Sequence, residues 1–284
     1  DQNIHSIGSY IKQYHPAYLF THLIANTKGE TLTIYYNKFY RVFEKIEGIS
    51  FDVLSNEKQV FEAANAFGTF TAVLNNFQVH QLDITLPDFH NLTLRYNQFE
   101  QAIQNGNTKK IELAKDSISF LKSESHLVET FELFINHPET HKRVTHHDTK
   151  ISNVLFDTND HAICVIDLDT VMPGYFISDI GDMCRTYLCK YSEEEKDLNK
   201  IQVIPERFNA LQNGYIQNMG TYLSNFEKDH FVFSGQFLIY MQALRFLTDY
   251  LNNDIYYGSK YEGHNLVRAL NQIQLLKSYN DTIV

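Results

Sequence analysis

Oxygen-bearing side chains occur at short, fixed spacing in one block of the chain. Its first part reads D-x-K-x-x-N, with Asp148, Lys150 and Asn153, and its second part places Asp167 directly after an apolar run. Carboxylate and amide oxygens, here Asn153 and Asp167, are ligands that Mg²⁺ takes together with substrate phosphates. Asp148 could accept the proton of an attacking hydroxyl, and the Lys150 ammonium could stabilise the transferring group. The block therefore predicts a magnesium-dependent phosphoryl-transfer site.

The elements that position this block are short strands. Three are predicted: residues 143–145, 154–156 and 162–166. The last two are joined by a polar turn and form a hairpin. In that hairpin Asn153 lies opposite about Val165, and Asp167 follows at the open end. Asp148 reaches the same end from the preceding loop, so the carboxylates and the amide are expected to converge there.

The rest of the chain changes character at Gly48. Before it, the pattern predicts a helix at residues 3–14 and strands at 18–26, 31–36 and 39–46. Beyond it, helical spacing dominates, with helices expected at 56–77, 93–105, 108–135, 203–218, 228–252 and 262–279. We therefore expect an α+β fold, with a small part at 1–47 and a mainly helical part at 48–284 that contains the hairpin.

Composition excludes several classes of partner. The formal net charge of −10 disfavours a nucleic acid, because phosphate backbones need clustered Lys and Arg. No apolar stretch approaches the roughly 18 residues of a membrane span, and no secretory signal is recognised. Cys164, Cys184 and Cys189 are odd in number and form no CxxC, so inert thiols in a reducing cytoplasm are expected. The pattern does not indicate an oligomeric state.

The block H-x-D-x-K-x-x-N, followed by a hairpin and I-D, resembles the catalytic and metal-binding loops of protein kinases and of aminoglycoside or choline kinases. The resemblance implies a two-lobe protein-kinase-like fold, ATP as co-substrate and Mg²⁺ as cofactor. It implies that Asp148 is the catalytic base and that Asn153 and Asp167 bind the metal. Asp169 would assist at the metal or lie at the surface. The same resemblance gives two residues a structural role at the catalytic loop, namely His146 and Asp179, although Asp179 also suits a helix start.

Three further segments resemble N-acetylhexosamine 1-kinases: P-D-F-H-N at 87–91, D-L-D-T-V-M-P-G at 167–174 and R-F-L-T-D at 245–249. Those enzymes transfer the ATP γ-phosphoryl group to the anomeric hydroxyl of an amino sugar. The likeness implies that His90, Arg245, Tyr256 and Tyr257 line the sugar site. Simpler interpretations exist: Arg245 pairs with Asp249 on one helix, the tyrosines lie at the core edge, and His90 only orders its loop.

The nucleotide-binding parts of a kinase are incomplete in this sequence. No G-x-G-x-x-G occurs, and no lysine lies on a strand before the first helix. Residues 1–47 thus resemble the remainder of a small N-lobe that ends in the hinge, where Phe43, Glu44, Lys45 and Ile46 would bind adenine. The missing parts are expected upstream, and the 284-residue chain alone is expected to bind ATP weakly.

Other functions stay open at this stage. Choline, an aminoglycoside or homoserine could be the acceptor of the same catalytic loop. His146-His147-Asp148 superficially resembles the metal pair of a phosphohydrolase, which would need more histidines. A non-catalytic, kinase-like binding module is the third possibility, supported only by the absent phosphate loop.

Overall fold

A computed structural model describes all residues from 1 to 284. Helices provide most of the structure. They are α1 Gln2–Tyr14, α2 Glu57–Val73, α3 Leu92–Asn105, α4 Thr108–Leu113, α5 Lys115–Ser123, α6 His126–Asn136, α7 Phe176–Tyr187, α8 Pro205–Met219, α9 Asn225–Asp229, α10 Phe231–Leu251 and α11 His264–Ile283. None of them combines the length and the apolar character needed to cross a bilayer.

The strands form three antiparallel pairs. They are β1 Thr33–Tyr35, β2 Lys38–Tyr40, β3 Arg143–Thr145, β4 Val154–Phe156, β5 Ala162–Val165 and β6 Met172–Gly174. β1 pairs with β2, β4 with β5, and β3 with β6. The α+β fold class expected from the sequence is confirmed.

The chain forms two compact units. Unit 1 comprises Asp1–Pro87, His141–Asp179 and Asn209–Leu223, and unit 2 comprises Asp88–Thr140, Ile180–Phe208 and Ser224–Val284. The division at residues 47 and 48 remains a prediction.

Unit 1 is built around α2 and the hairpin of β4 and β5. The helix begins at Asn56, whose side chain accepts a hydrogen bond from the Gln59 N–H. Its buried face includes Phe67 and Phe70, and the helix packs against β5 and β3. Gly68 is required there, because a Cβ would lie 2.8 Å from the carbonyl oxygen of Tyr215. The absence of a side chain at Gly68 therefore allows α2 to lie close to the backbone of α8 at Tyr215.

Unit 2 is centred on α10, which is apolar on nearly its whole circumference and accordingly buried. It packs mainly against α11 and α3. The Tyr240 hydroxyl in its middle donates a hydrogen bond of 2.7 Å to the carbonyl of Leu121. A buried hydroxyl needs such a partner, so this bond also fixes the depth at which α10 lies.

Several predicted elements are wrong in extent. The single helix expected at 108–135 is three helices, because the chain leaves helical geometry at Ala114 and again at Glu124. The helix expected at 228–252 is divided at His230, and Ser224 caps α9 through a capping box with Glu227. The strand expected at 18–26 pairs only at Leu23, which bridges Phe43.

Candidate active site

The loop between β3 and β4 is held by a carboxylate from α7. Asp179 accepts hydrogen bonds from the backbone N–H groups of His146, at 3.1 Å, and His147, at 2.7 Å. The hydroxyl of Thr149 donates to the Asp179 carbonyl at 2.9 Å. His147 has a φ of 68°, a left-handed conformation that favours glycine and that these contacts stabilise. This geometry supports the structural role predicted for Asp179.

His146 is fully buried beneath the loop. Its Nδ1 accepts from the Asp148 N–H at 3.3 Å, so Nε2 carries the proton and donates to the Ile166 carbonyl at 3.0 Å. Burial lowers the pKa of this imidazole, which keeps it neutral. The ring also makes an edge contact with Phe67 at 5.1 Å between centroids. His146 thus links the loop to the hairpin, and its supporting role at a catalytic loop stays a prediction.

The side chains of Asp148, Lys150, Asn153 and Asp167, called here the loop cluster, lie together. Lys150 Nζ is 2.8 Å from Asp148 Oδ2 and 3.8 Å from Asp167 Oδ2. The Asn153 amide nitrogen donates to the carbonyl and to the carboxylate of Asp148, at 2.8 and 3.0 Å. Asp148 is thereby oriented by two donors from its own loop, while about a quarter of its side chain stays accessible (28%).

The hairpin register differs by one residue from the prediction. Ile166, not Val165, is hydrogen-bonded opposite Asn153, through an N–H···O bond of 2.9 Å. A bulge between Leu155 and Phe156 causes the shift. Asp167 therefore follows immediately after the residue paired with Asn153, in a left-handed conformation with a φ of 61°.

Asp169 pairs with Arg41 and not with a residue of the loop cluster. Its carboxylate forms an ion pair of 2.7 Å with Arg41, and about half of the side chain is exposed. Its assignment to the metal stays a prediction.

The loop cluster fits a magnesium nucleotide better than a metal held by protein alone. No group of three or more His, Cys, Asp or Glu side chains is placed to hold a metal ion. Since Asn153 donates through its nitrogen, its amide oxygen is available to a cation, and the exposed Asp167 carboxylate offers a second oxygen. Mg²⁺ in proteins usually binds a small number of protein oxygens and completes its coordination with substrate phosphates. No histidine-rich site of the phosphohydrolase type is present, since His146 and His147 are buried.

The predicted hinge is an extended segment of unit 1. Glu44 donates its N–H to the His22 carbonyl at 2.9 Å, and Phe43 bridges Leu23. Lys45 forms an exposed ion pair with Glu47. The N–H groups of Lys45 and Ile46 make no backbone hydrogen bond within the chain, and the contact of this segment with adenine stays a prediction.

Unit 2 contains a cavity of about 450 Å³. It is lined by three of the predicted acceptor residues, Arg245, Tyr256 and Tyr257. His90 is not among its lining residues; its ring stacks on Phe89 at 4.5 Å. We call this space the arginine cavity, because Arg95 from α3 lines it as well. Sequence reasoning missed Arg95, which lies four residues after the loop residue Asn91 and carried no motif of its own.

Arg245 does not pair with Asp249, so that simpler interpretation is wrong. The guanidinium donates to Gln242 Oε1 at 3.2 Å and lies 5.4 Å from the centroid of the Tyr257 ring. Asp249 instead accepts from the backbone N–H groups of Tyr256 and Tyr257, at 2.7 and 2.9 Å. Asp249 therefore fixes the segment that bears both tyrosines. Tyr257 is largely buried, which raises the pKa of its hydroxyl, whereas Tyr256 is mostly exposed.

A loop that brings Asp148, Lys150 and Asn153 together beside Asp167 has the arrangement of a phosphoryl-transfer site. Residues 21–201 match the phosphotransferase enzyme family (APH), and the chain belongs to this family.

Solved structures share the fold at low sequence identity, and with the family match they confirm the protein-kinase-like fold expected from the sequence. One is an aminoglycoside phosphotransferase from Alicyclobacillus acidocaldarius, with 12% identity and a TM-score of 0.67 over 98% of this chain and 82% of that one. Another is an amicoumacin kinase in complex with AMP-PNP and Ca²⁺, with 15% identity and a TM-score of 0.59 over 96% and 77%. A choline kinase from Cryptosporidium parvum matches with 13% identity and a TM-score of 0.54 over 96% and 78%.

Proposed function

We propose that this phosphotransferase moves the γ-phosphoryl group of ATP to the anomeric hydroxyl of an N-acetylhexosamine. The observation that carries the proposal is the orientation of the Asp148 carboxylate by Lys150 and Asn153 in a family of phosphotransferases. The phosphoryl-transfer template needs a base held in this way. The hinge residues Phe43 to Ile46 are proposed to contact the adenine.

In the proposed reaction Asp148 accepts the proton of the acceptor hydroxyl. The acceptor oxygen forms a bond to the γ-phosphorus as the bond to the β–γ bridging oxygen breaks, and ADP leaves. Lys150 stabilises the charge on the transferring group. Asn153 and Asp167 would hold Mg²⁺, which supplies charge neutralisation on the phosphates.

The arginine cavity supports a sugar over the alternative acceptors. A quaternary ammonium is usually bound by an aromatic cage, but here Arg245 lies over the rings of Phe89, Tyr256 and Tyr257. An aminoglycoside needs free carboxylates, and the one carboxylate in the lining, that of Asp249, is engaged with backbone N–H groups. Amide, guanidinium and phenol groups suit hydroxyl and acetamido groups instead.

An acceptor screen by ADP release, with the full-length protein, tests this proposal. We expect N-acetylglucosamine or N-acetylgalactosamine to stimulate ADP release, and choline, kanamycin and homoserine not to. Phosphorus NMR of the product should show the phosphate on the anomeric carbon. Turnover of choline or kanamycin at least about tenfold more efficient than that of either sugar, a difference of about 1.4 kcal/mol in transition-state stabilisation, would exclude the proposed acceptor class.

A further inference from the structure

Two guanidinium groups of the arginine cavity have only neutral hydrogen-bond partners. Arg95 donates to Gln98 Oε1 at 3.0 Å and to the backbone carbonyl of Asp88 at 2.9 Å. Arg245 donates to Gln242 Oε1 and otherwise faces aromatic rings. Burial, and then the charge of Arg245, lower the pKa of Arg95. Two cations thus share a half-buried space, and neither forms an ion pair with a carboxylate.

The carboxylates nearby are all engaged elsewhere. Asp249 accepts three hydrogen bonds, from two backbone N–H groups and from Asn265. The Asp88 carboxylate accepts from Asn91 at 2.9 Å. Asp254 pairs with Lys110 at 2.7 Å. None of these acids forms an ion pair with Arg95 or Arg245, although the charge of Asp88 offsets part of the lowering of the Arg95 pKa.

Two polar atoms of the lining lack partners altogether. Arg95 Nε and the hydroxyl of Thr248 are buried without a hydrogen bond, and both residues line the arginine cavity. Buried polar atoms without partners are rare in folded proteins and are often explained by a ligand. A donor such as Nε and a positive charge without an ion-pair partner together favour an anionic oxygen.

We infer that the acceptor carries an anionic group, a carboxylate or a phosphate, that binds Arg95 and Arg245 in this cavity. The inference rests on the proposed function and narrows its substrate class to acidic N-acetylhexosamines. Arg95 is then a specificity-determining residue: its guanidinium forms charge-assisted hydrogen bonds with the acidic acceptor and repels an acceptor with a free ammonium group.

Binding measured by titration calorimetry tests the inference. The ligands are N-acetylglucosamine, its 6-phosphate, its uronic acid and glucosamine. We expect the two acids to bind about ten- to a hundredfold more tightly than the neutral sugar, as a hydrogen bond between charged groups implies, and glucosamine to bind most weakly. The two acids distinguish phosphate from carboxylate. The preference should shrink at high ionic strength, a measurement that needs no variant.

Variants test whether the preference for acidic ligands depends on the two arginines. Arg95→Gln and Arg245→Gln should each reduce the affinity for the acids about tenfold more than they reduce the affinity for the neutral sugar. Lys115→Gln, which removes one positive charge from an exposed site in unit 2, is the matched control and should retain the preference. Thermal unfolding of each variant verifies that it is folded.

The outcomes separate the two proposals. Turnover of the neutral sugar together with acids that bind no more tightly would overturn only the anionic acceptor. A preference that survives in the Arg95→Gln/Arg245→Gln double variant would also overturn it. If no hexosamine, neutral or acidic, is bound or phosphorylated, the proposed function is wrong and this inference with it.

Discussion

The Asp148 carboxylate is placed by residues of its own loop, and its chemistry can be tested by changing one atom. Asp148→Asn keeps the size of the side chain and removes the group that accepts a proton. We expect the turnover number to fall about 10²- to 10⁴-fold, the usual contribution of a general base. Stability should change little, because the side chain is partly exposed. Steady-state ADP release and urea unfolding measure the two effects.

Asp160→Asn is the matched control, since Asp160 lies in the hairpin turn and bonds to Gln59. It should keep the turnover number of the parent. A fully active Asp148→Asn enzyme would remove the base assignment.

Residues that share one local segment were predictable, whereas residues that meet through the fold were not. The spacing of Asp148, Lys150 and Asn153 fixed their proximity, because a loop and a hairpin start place them together. Arg95 escaped prediction because the arginine cavity is assembled from α3, α10 and the loop after α10. Nothing within the sequence around Arg95 marks a site that depends on three distant segments.

At the scale of elements, the pairing of β3 with β6 depends on the contact between Gly174 and His147. A Cβ on Gly174 would lie 2.5 Å from the His147 ring. Gly174→Ala should therefore destabilise the protein by about 1–3 kcal/mol, the usual cost of overpacking, and lower turnover, because His147 precedes Asp148, the proposed base. His147→Gly removes the ring and suits the left-handed backbone at that position.

The double variant Gly174→Ala/His147→Gly should be more stable than the sum of the single effects, which urea unfolding of all four proteins measures as a coupling energy. Strictly additive effects would show that the His147 ring and residue 174 are not energetically coupled.

The sequence did not predict β6, because residues 172–174 contain a proline and are too short to show alternation. The same limit applies to α4, α5 and α6, which are short and pack against three different helices, α10, α11 and α3.

At the scale of the whole molecule, buried histidines make stability depend on pH. Burial lowers the pKa of His147 to about 3, against an ordinary value of about 6.5, and also lowers the pKa of His146. Between those two values the unfolded chain binds a proton at His147 that the folded chain does not. The unfolded state is therefore favoured by acid, and this loss of stability begins below about pH 6.5 and is complete near pH 3.

Urea unfolding at several pH values from about 7.5 to about 5 measures this dependence as a slope of the free energy of unfolding. We expect each such histidine to contribute up to about 1.4 kcal/mol per pH unit. Asn can adopt the left-handed backbone at position 147, and His147→Asn removes the titrating group. The slope for this variant should therefore correspond to about one fewer proton bound on unfolding. His5→Asn, which replaces an exposed histidine, should keep the parent slope. Equal slopes for the parent and His147→Asn would mean that His147 is already protonated in the folded protein near pH 5, contrary to its burial.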